Sequence, residues 1–249
     1  MKKLLLLCLS FSLFAFGGCV VNTNTALDAA ADGYKAATLS EADVISMSKQ
    51  MREAGDKENK VASKNSKYTK RLNKVAANLK NVEGLQMNYK VYLTDEVNAN
   101  VTPDGSVRVY SGLMDKLNDD ELFFVLGHEI GHVKGGDTMD KMRLAYAASA
   151  ARKGVAASNS TAGALAASEL GAVAEAFLKA QFSQDQEYKA DAYGLELMKK
   201  YKKNTKGAET ALRKFADMES SSSGVDAWFS THPGSAKRAD KMAEMRAGK

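Results

Sequence analysis

Apolar positions recur at helical spacing along most of the chain and at a spacing of two in one short region, which predicts an α+β, mainly α-helical protein with a single small sheet. Ser40 begins the first helix by cap chemistry reaching Asp43, and Val44, Met47 and Met51 form its inward stripe to about residue 53. Residues 55–66 read as a loop or an exposed continuation. Tyr68, Leu72, Val75 and Leu79 share one face of a second helix over 67–79. Met87, Tyr89, Val91 and Leu93 then alternate with polar residues, the pattern of a half-buried strand. Segments 97–101 and 107–110 flank Pro103-Asp104-Gly105 and form a hairpin. Beyond the sheet, Leu122, Val125, Leu126 and Ile130 make the apolar stripe of a helix capped by Asn118 and Glu121 and ended by Gly135-Gly136. Further helices are expected over 183–201, over 206–218 and from Ser235 onward. The Ala, Gly and Ser-rich stretch 138–182 reads as helices joined by a flexible part near 156–163. Arg152, Lys153, Glu169 and Glu175 interrupt every 20-residue window there, which excludes a membrane span.

The helix after the sheet carries His128-Glu129-Ile130-Gly131-His132. Positions i and i+4 lie a turn apart on one face, so both imidazoles can reach one metal ion, with Glu129 placed as general base at its open position. The chain has only three histidines and two are in this motif, against a bland reading of chance placement on a surface helix. A third protein ligand is then required, and a carboxylate from a separate helix supplies one. Glu187 is the candidate. Asp191, one turn on, can take the second N–H of a ligating histidine and fix its tautomer. By itself such a carboxylate pair is usually a solvated helix face. His232, in Thr231-His232-Pro233, is either a turn residue or a donor to a developing oxyanion.

Composition narrows the class further. With 249 residues and 45% hydrophobic content the chain suffices for one domain, and its basic residues are interspersed with acidic ones, so nucleic acid is not an expected partner. The first 18 residues read as an export signal: Lys2-Lys3, an apolar run over 4–16, then Gly17-Gly18. Its removal takes two charges off the formal +5 and leaves Cys19 as the new N-terminus. Cys8 departs with the signal, so Cys19 has no partner for an intramolecular disulfide. Phe16-Gly17-Gly18-Cys19 resembles a bacterial lipobox, departing from it at Phe16 where leucine is commoner, which implies a lipid-anchored protein of the cell envelope; the other reading is an ordinary signal peptide that leaves a free thiol. Residues 19–39 form its tether and 40–249 its folded domain. Val20 after the cysteine favours the outer over the inner membrane.

Taken in order, Asn98-Ala99, VRVYSGLM at 107–114, HEIGH at 128–132, Glu187 with Ala190-Asp191, and Thr231-His232-Pro233 with Arg238 resemble the gluzincin zinc endopeptidase family of HtpX and the CAAX prenyl protease, in its single-domain periplasmic lipoprotein branch. The resemblance implies a zincin-like fold and one zinc ion on His128, His132 and Glu187. It implies Glu129 as base, Asp191 behind the ligands, His232 and Arg238 at the transition state or substrate, and Asn98 and Ala99 on the substrate strand. The chain departs from the family at Asn98-Ala99-Asn100-Val101, where Asn-Ala-Phe-Ala is usual. The function so implied is hydrolysis of unfolded or damaged polypeptides in the envelope. Two other readings stand beside it: a non-catalytic, metal-stabilised lipoprotein that binds extended segments, and a zinc hydrolase acting on something other than peptides.

Overall fold

The computed structural model describes residues 39–153, 167–221 and 227–248. The expected signal, Cys19 and the tether to residue 38 lie outside these, as does the segment around 156–163. Helix α1 (Glu41–Glu58) starts with the Ser40/Asp43 capping box and runs through Gly55, five residues beyond the expected end. Helix α2 (Lys67–Val75) is four residues shorter than its apolar pattern, since Leu79 packs from the following turn. The pairs β1 (Asn81–Val82) and β2 (Leu85–Gln86) make a small hairpin. Its turn places Glu83 and Gly84 at positive φ. The pattern missed it because two-residue strands carry no periodicity.

The main sheet has the order β3 (Asn88–Tyr92), β5 (Ser106–Tyr110), β4 (Ala99–Val101), with β3 parallel and β4 antiparallel to β5. Val91, Val107, Val109, Ala99 and Val101 form its apolar face in the main core. The row Lys90, Arg108, Asn100 lies in register on the opposite, polar face, toward α1. The two edges differ. Ala62 N donates to Val91 O at 2.8 Å and Leu93 N to Lys60 O at 2.8 Å, which seals β3. On β4, Asn98 O and Thr102 N bond to β5, so by antiparallel alternation the main-chain groups of Ala99 and Val101 point away from the sheet. Among the described residues no backbone group pairs with that edge.

After a short α3 (Ser111–Lys116), α4 (Asp119–Lys134) opens with the expected Asn118/Glu121 capping box. Helices α5 (Asp137–Lys153), α6 (Ala167–Lys179), α7 (Gln184–Lys200), α8 (Lys206–Ser221), α9 (Ala227–Thr231) and α10 (Ser235–Arg246) follow. Gly234, at φ +82°, takes the cap position, and the last helix begins at Ser235 as expected. Helices α4 and α7 cross at small residues. A Cβ on Gly131 would lie 2.8 Å from Ala190 Cα, and one on Gly127 3.0 Å from Gly194 Cα. That backbone approach brings the carboxylates of one helix to the imidazoles of the other. A second, smaller core joins α1, α5 and α6 through Val44, Met47, Met51, Met142, Val173 and Phe177. Leu39, assigned by sequence to the tether, is buried in it, and Arg143 holds its carbonyl. Among the described residues no helix is long and apolar enough to cross a membrane.

Candidate metal centre

One turn of α4 presents His128 and His132, and the first turn of α7 presents Glu187 behind the Ser183/Gln186 capping box. Their ligand atoms converge. His132 Nε2 lies 3.1 Å from His128 Nε2 and 3.3 Å from Glu187 Oε1, and His128 Nε2 lies 3.7 Å from Glu187 Oε2. Ligands about 2.1 Å from a tetrahedral ion are separated by roughly 3.4 Å, so this donor set fits one zinc ion. All three residues are buried. His232 joins them: its Nδ1 is 2.9 Å from Glu187 Oε1 and 3.2 Å from His128 Nε2, and the four donor atoms lie within 4.8 Å of one another. Sequence reasoning gave His232 only a turn or an oxyanion role. Its Trp-Phe-Ser-Thr approach was legible, but not that α9 directs Nδ1 to the ligand corner.

The imidazoles are held from behind by unlike partners. His128 Nδ1–H donates to Asp191 Oδ1 at 2.9 Å, and Arg238 grips that carboxylate through Nε and Nη2, each at 2.7 Å. His132 Nδ1–H donates to Asp137 Oδ2 at 2.8 Å, and Gln186 Nε2 holds the other oxygen at 3.0 Å. Asp137 went unnoticed in the sequence, although it stands at the first position of α5 straight after Gly135-Gly136. Both hydrogen bonds leave Nε2 free of its proton and able to ligate. Two aromatic stacks complete the cage. Phe182 lies on His132 with ring centroids 3.7 Å apart, and Trp228 on His232 at 4.2 Å.

Burial sets the electrostatics. It would raise the Glu187 carboxyl, but the Arg238 guanidinium and the hydrogen bond with His132 outweigh it and hold that group well below the carboxylate range. Asp191 is likewise held low, chiefly by Arg238 against its own burial. Burial lowers His128, and it pushes His232 down to about 3, so both rings are neutral at neutral pH. His132 shifts the other way, because Asp137 and Glu187 overcome its burial. Glu129 differs from the other carboxylates. Burial, only partly offset by His132 and Lys141, pushes it up to about 7, and its Oε1 has no hydrogen-bond partner. That oxygen is 3.6 Å from His232 Nε2.

Asn98 and Val101 of the unpaired but buried strand edge line the space in front of Glu129, together with Phe177, Phe182 and His232. The space amounts to about 10 Å³, roughly one water. Ala99 is buried on the core face with its main chain directed outward. Arg238, which the resemblance placed at the transition state or substrate, sits behind Asp191 and Glu187. It is 2% exposed, and besides Asp191 it contacts Glu187 Oε2 through Nη1. Two buried acids draw it inward. It does not line the space before Glu129.

Residues 62–246 match the sequence profile of Peptidase family M48. The chain is 40% identical over 245 residues to Metalloprotease YcaL of Escherichia coli (strain K12), a match covering 96% of this chain and 96% of that protein. It is 35% identical over 243 residues to Metalloprotease LoiP of the same organism, covering 97% and 96%.

Proposed function

We propose, from the premise that this chain belongs to peptidase family M48 and is a zinc metalloprotease, that it is an endopeptidase cleaving extended segments of unfolded polypeptides at the cell envelope. The observation that carries this reading is Glu129, a buried carboxyl with its pKa near neutrality beside a donor set of tetrahedral size. A site built only to stabilise the fold has no use for such a group.

In this reading His128, His132 and Glu187 hold the ion, with Asp191 and Asp137 fixing the two imidazoles. When bound, zinc supplies a Lewis acid that polarises the scissile carbonyl and makes water a competent nucleophile near neutral pH. Glu129 takes the proton from the attacking water and returns it to the leaving amine, a shuttle suited to a group titrating near 7. His232 is neutral, and its ring N–H donates to the oxygen that gains charge as the carbonyl carbon becomes tetrahedral. Arg238 keeps Asp191 and Glu187 in place. The substrate lies along β4 and adds a strand to the outward main-chain groups of Ala99 and Val101, with Asn98 beside it. Main-chain pairing of this kind accepts many sequences, which suits a quality-control protease. The lipobox-like Phe16-Gly17-Gly18-Cys19 supports an exported chain anchored through Cys19, with 19–39 as tether and 40–249 as the catalytic domain.

Glu129→Gln tests the reading. The variant retains stoichiometric zinc by elemental analysis while its casein cleavage falls about 10²- to 10⁴-fold. Ordinary activity in this variant rejects Glu129 as the base, and a wild type that binds zinc yet never cleaves casein leaves the binding lipoprotein as the answer.

A further inference from the structure

Away from the metal ligands, Arg52 of α1 is a buried cation with neutral partners. It is 7% exposed. Its Nε donates to Thr102 Oγ1 at 2.9 Å and its Nη2 to Asn100 Oδ1 at 2.5 Å. Among the described residues no carboxylate lies within ion-pair distance of it. One row away, Arg108 is satisfied: its Nε and Nη2 reach the two oxygens of Asp56 at 2.7 and 3.0 Å, and Lys90 shares that carboxylate at 2.6 Å. The acid behind Arg52 is Asp104, reached only through the Thr102 hydroxyl, which donates to it at 2.7 Å. Asp56 is thus taken up by Arg108 and Lys90, and among the described residues Arg52 is the one of the three cations with no carboxylate in contact.

Arg52 borders a cavity of about 210 Å³ lined also by Asn100, Tyr92, Tyr110 and, from α6, Leu170 and Leu178. Glu58 stands exposed at its mouth. Asn100 Nδ2 neighbours the Tyr110 hydroxyl but is buried without a well-formed hydrogen bond. A guanidinium without a counterion and an amide donor without a hydrogen bond thus line one space. Burying a charge without a counterion is costly, and a planar fork matches a carboxylate's two oxygens. Asn100 and Leu178 also line the narrow space before Glu129, so the two spaces are neighbours along β4. A second buried cation, Lys141, borders that end, its Nζ over the Phe177 and Phe182 rings.

We propose that Arg52 and Asn100 form a carboxylate-binding subsite, in which a substrate laid along β4 places an Asp or Glu side chain or a free chain terminus. The proposal rests on the peptidase reading and adds a substrate preference to it. The leucine and tyrosine walls take the methylenes of a glutamate, and the two donors take its oxygens.

The test is cleavage by the zinc-loaded protein of end-blocked peptides in which glutamate or glutamine is scanned across the positions around one scissile bond, with a matched set carrying a free C-terminus. A charge-assisted hydrogen bond favours the acid by about ten- to a hundredfold in kcat/KM. The expected result is such a preference at one fixed offset, or for the free terminus, which separates the two sources. In Arg52→Gln and in Asn100→Asp, which fills the subsite with the protein's own carboxylate, the Glu/Gln ratio collapses to about one. A merely structural Arg52 would lower cleavage of both peptides together and keep the ratio. Casein-degrading wild type that treats acid and amide alike at every offset, and free and blocked termini alike, overturns the subsite. Binding of the same peptides to Glu129→Gln, followed by fluorescence anisotropy, measures the preference without turnover. Absence of any casein cleavage counts against the peptidase reading, whereas equal binding of both peptides counts against the subsite.

Discussion

The helices that carry the proposed ligands and the helices that cover them are built by different means. In the α4–α7 pair, backbone meets backbone through Gly127, Gly131, Ala190 and Gly194, and the surrounding core includes Phe123, Phe124, Phe215 and Trp228. The α1–α5–α6 group is held by a few methionines, small residues and Phe177, and it leaves Leu144 63% and Leu178 42% exposed. Methionine adapts its shape at little cost, whereas a glycine–glycine crossing admits one distance. The rigid pairing lies where ligand atoms must agree to a few tenths of an ångström. The light pairing borders the space before Glu129 through Phe177 and Leu178.

Adding one methyl group at the crossing should separate the two regions most sharply. In Gly131→Ala the new Cβ meets Ala190 Cα at 2.8 Å, and since the obstacle is backbone, α7 has to shift away. Glu187 and Asp191 move with it. Overpacking of this kind costs about 1–3 kcal/mol, and displacing a ligand by near an ångström costs about a hundredfold in function. Thermal unfolding should show a Tm several degrees lower, and equilibrium dialysis with zinc a weakening of at least that hundredfold. Unchanged zinc affinity would mean that the crossing does not set the ligand geometry.

A cavity in the cover should act the other way round. Phe177 is 1% exposed and belongs to the small core while also bordering the space before Glu129. In a single cooperative core Phe→Ala costs about 3–5 kcal/mol. Here the expected result is faster amide exchange confined to α5 and α6, with exchange in α4 and α7 and zinc affinity unchanged. Casein cleavage should rise severalfold as the groove widens. A global loss of protection would show that the cover and the ligand helices unfold as one.

These unlike regions were also unequally legible. The α4 signal was strong at every level, since cap, stripe, motif and terminating glycines all agreed, and its bounds matched. Glu187 was recoverable because a metal on two histidines needs another donor. The β4 and β5 hairpin followed from Pro103-Asp104-Gly105. What escaped depended on approach in space. Gly131 reads as a spacer until α7 lies against it, and Asp137 as a helix start until it faces His132. Arg52 looks like an ordinary solvated arginine in EADVISMSKQMREAG. Its burial arises because α1 continues past Gly55 over the polar face of the sheet. Arg238 differs from these: the resemblance alone named it, at the transition state or substrate, and the structure puts it against two buried acids, Asp191 and Glu187.

The smallest expected effect concerns the join between the two regions, where Asp56 of α1 meets Arg108, Lys90 and Tyr92 of the sheet. Burial alone would raise this carboxyl, but hydrogen bonds from those three residues lower it from 3.8 to about 2. A carboxyl depressed in the folded state favours folding in its ionised form, so its contribution is complete above about pH 5 and is lost as pH falls through 4 toward 2. Other groups titrate over the same range, and the comparison that isolates this one is with Asp56→Asn. At pH 6 the variant should melt a few degrees below the wild type, and by pH 2 to 3 the two curves should nearly coincide. Amide exchange should place the loss in α1 and its contact with β3 and β5, with the α4–α7 crossing unaffected. If the gap between the two proteins stays constant from pH 6 to pH 2, Asp56 contributes through packing and not through charge, and the cover is not electrostatically joined to the sheet.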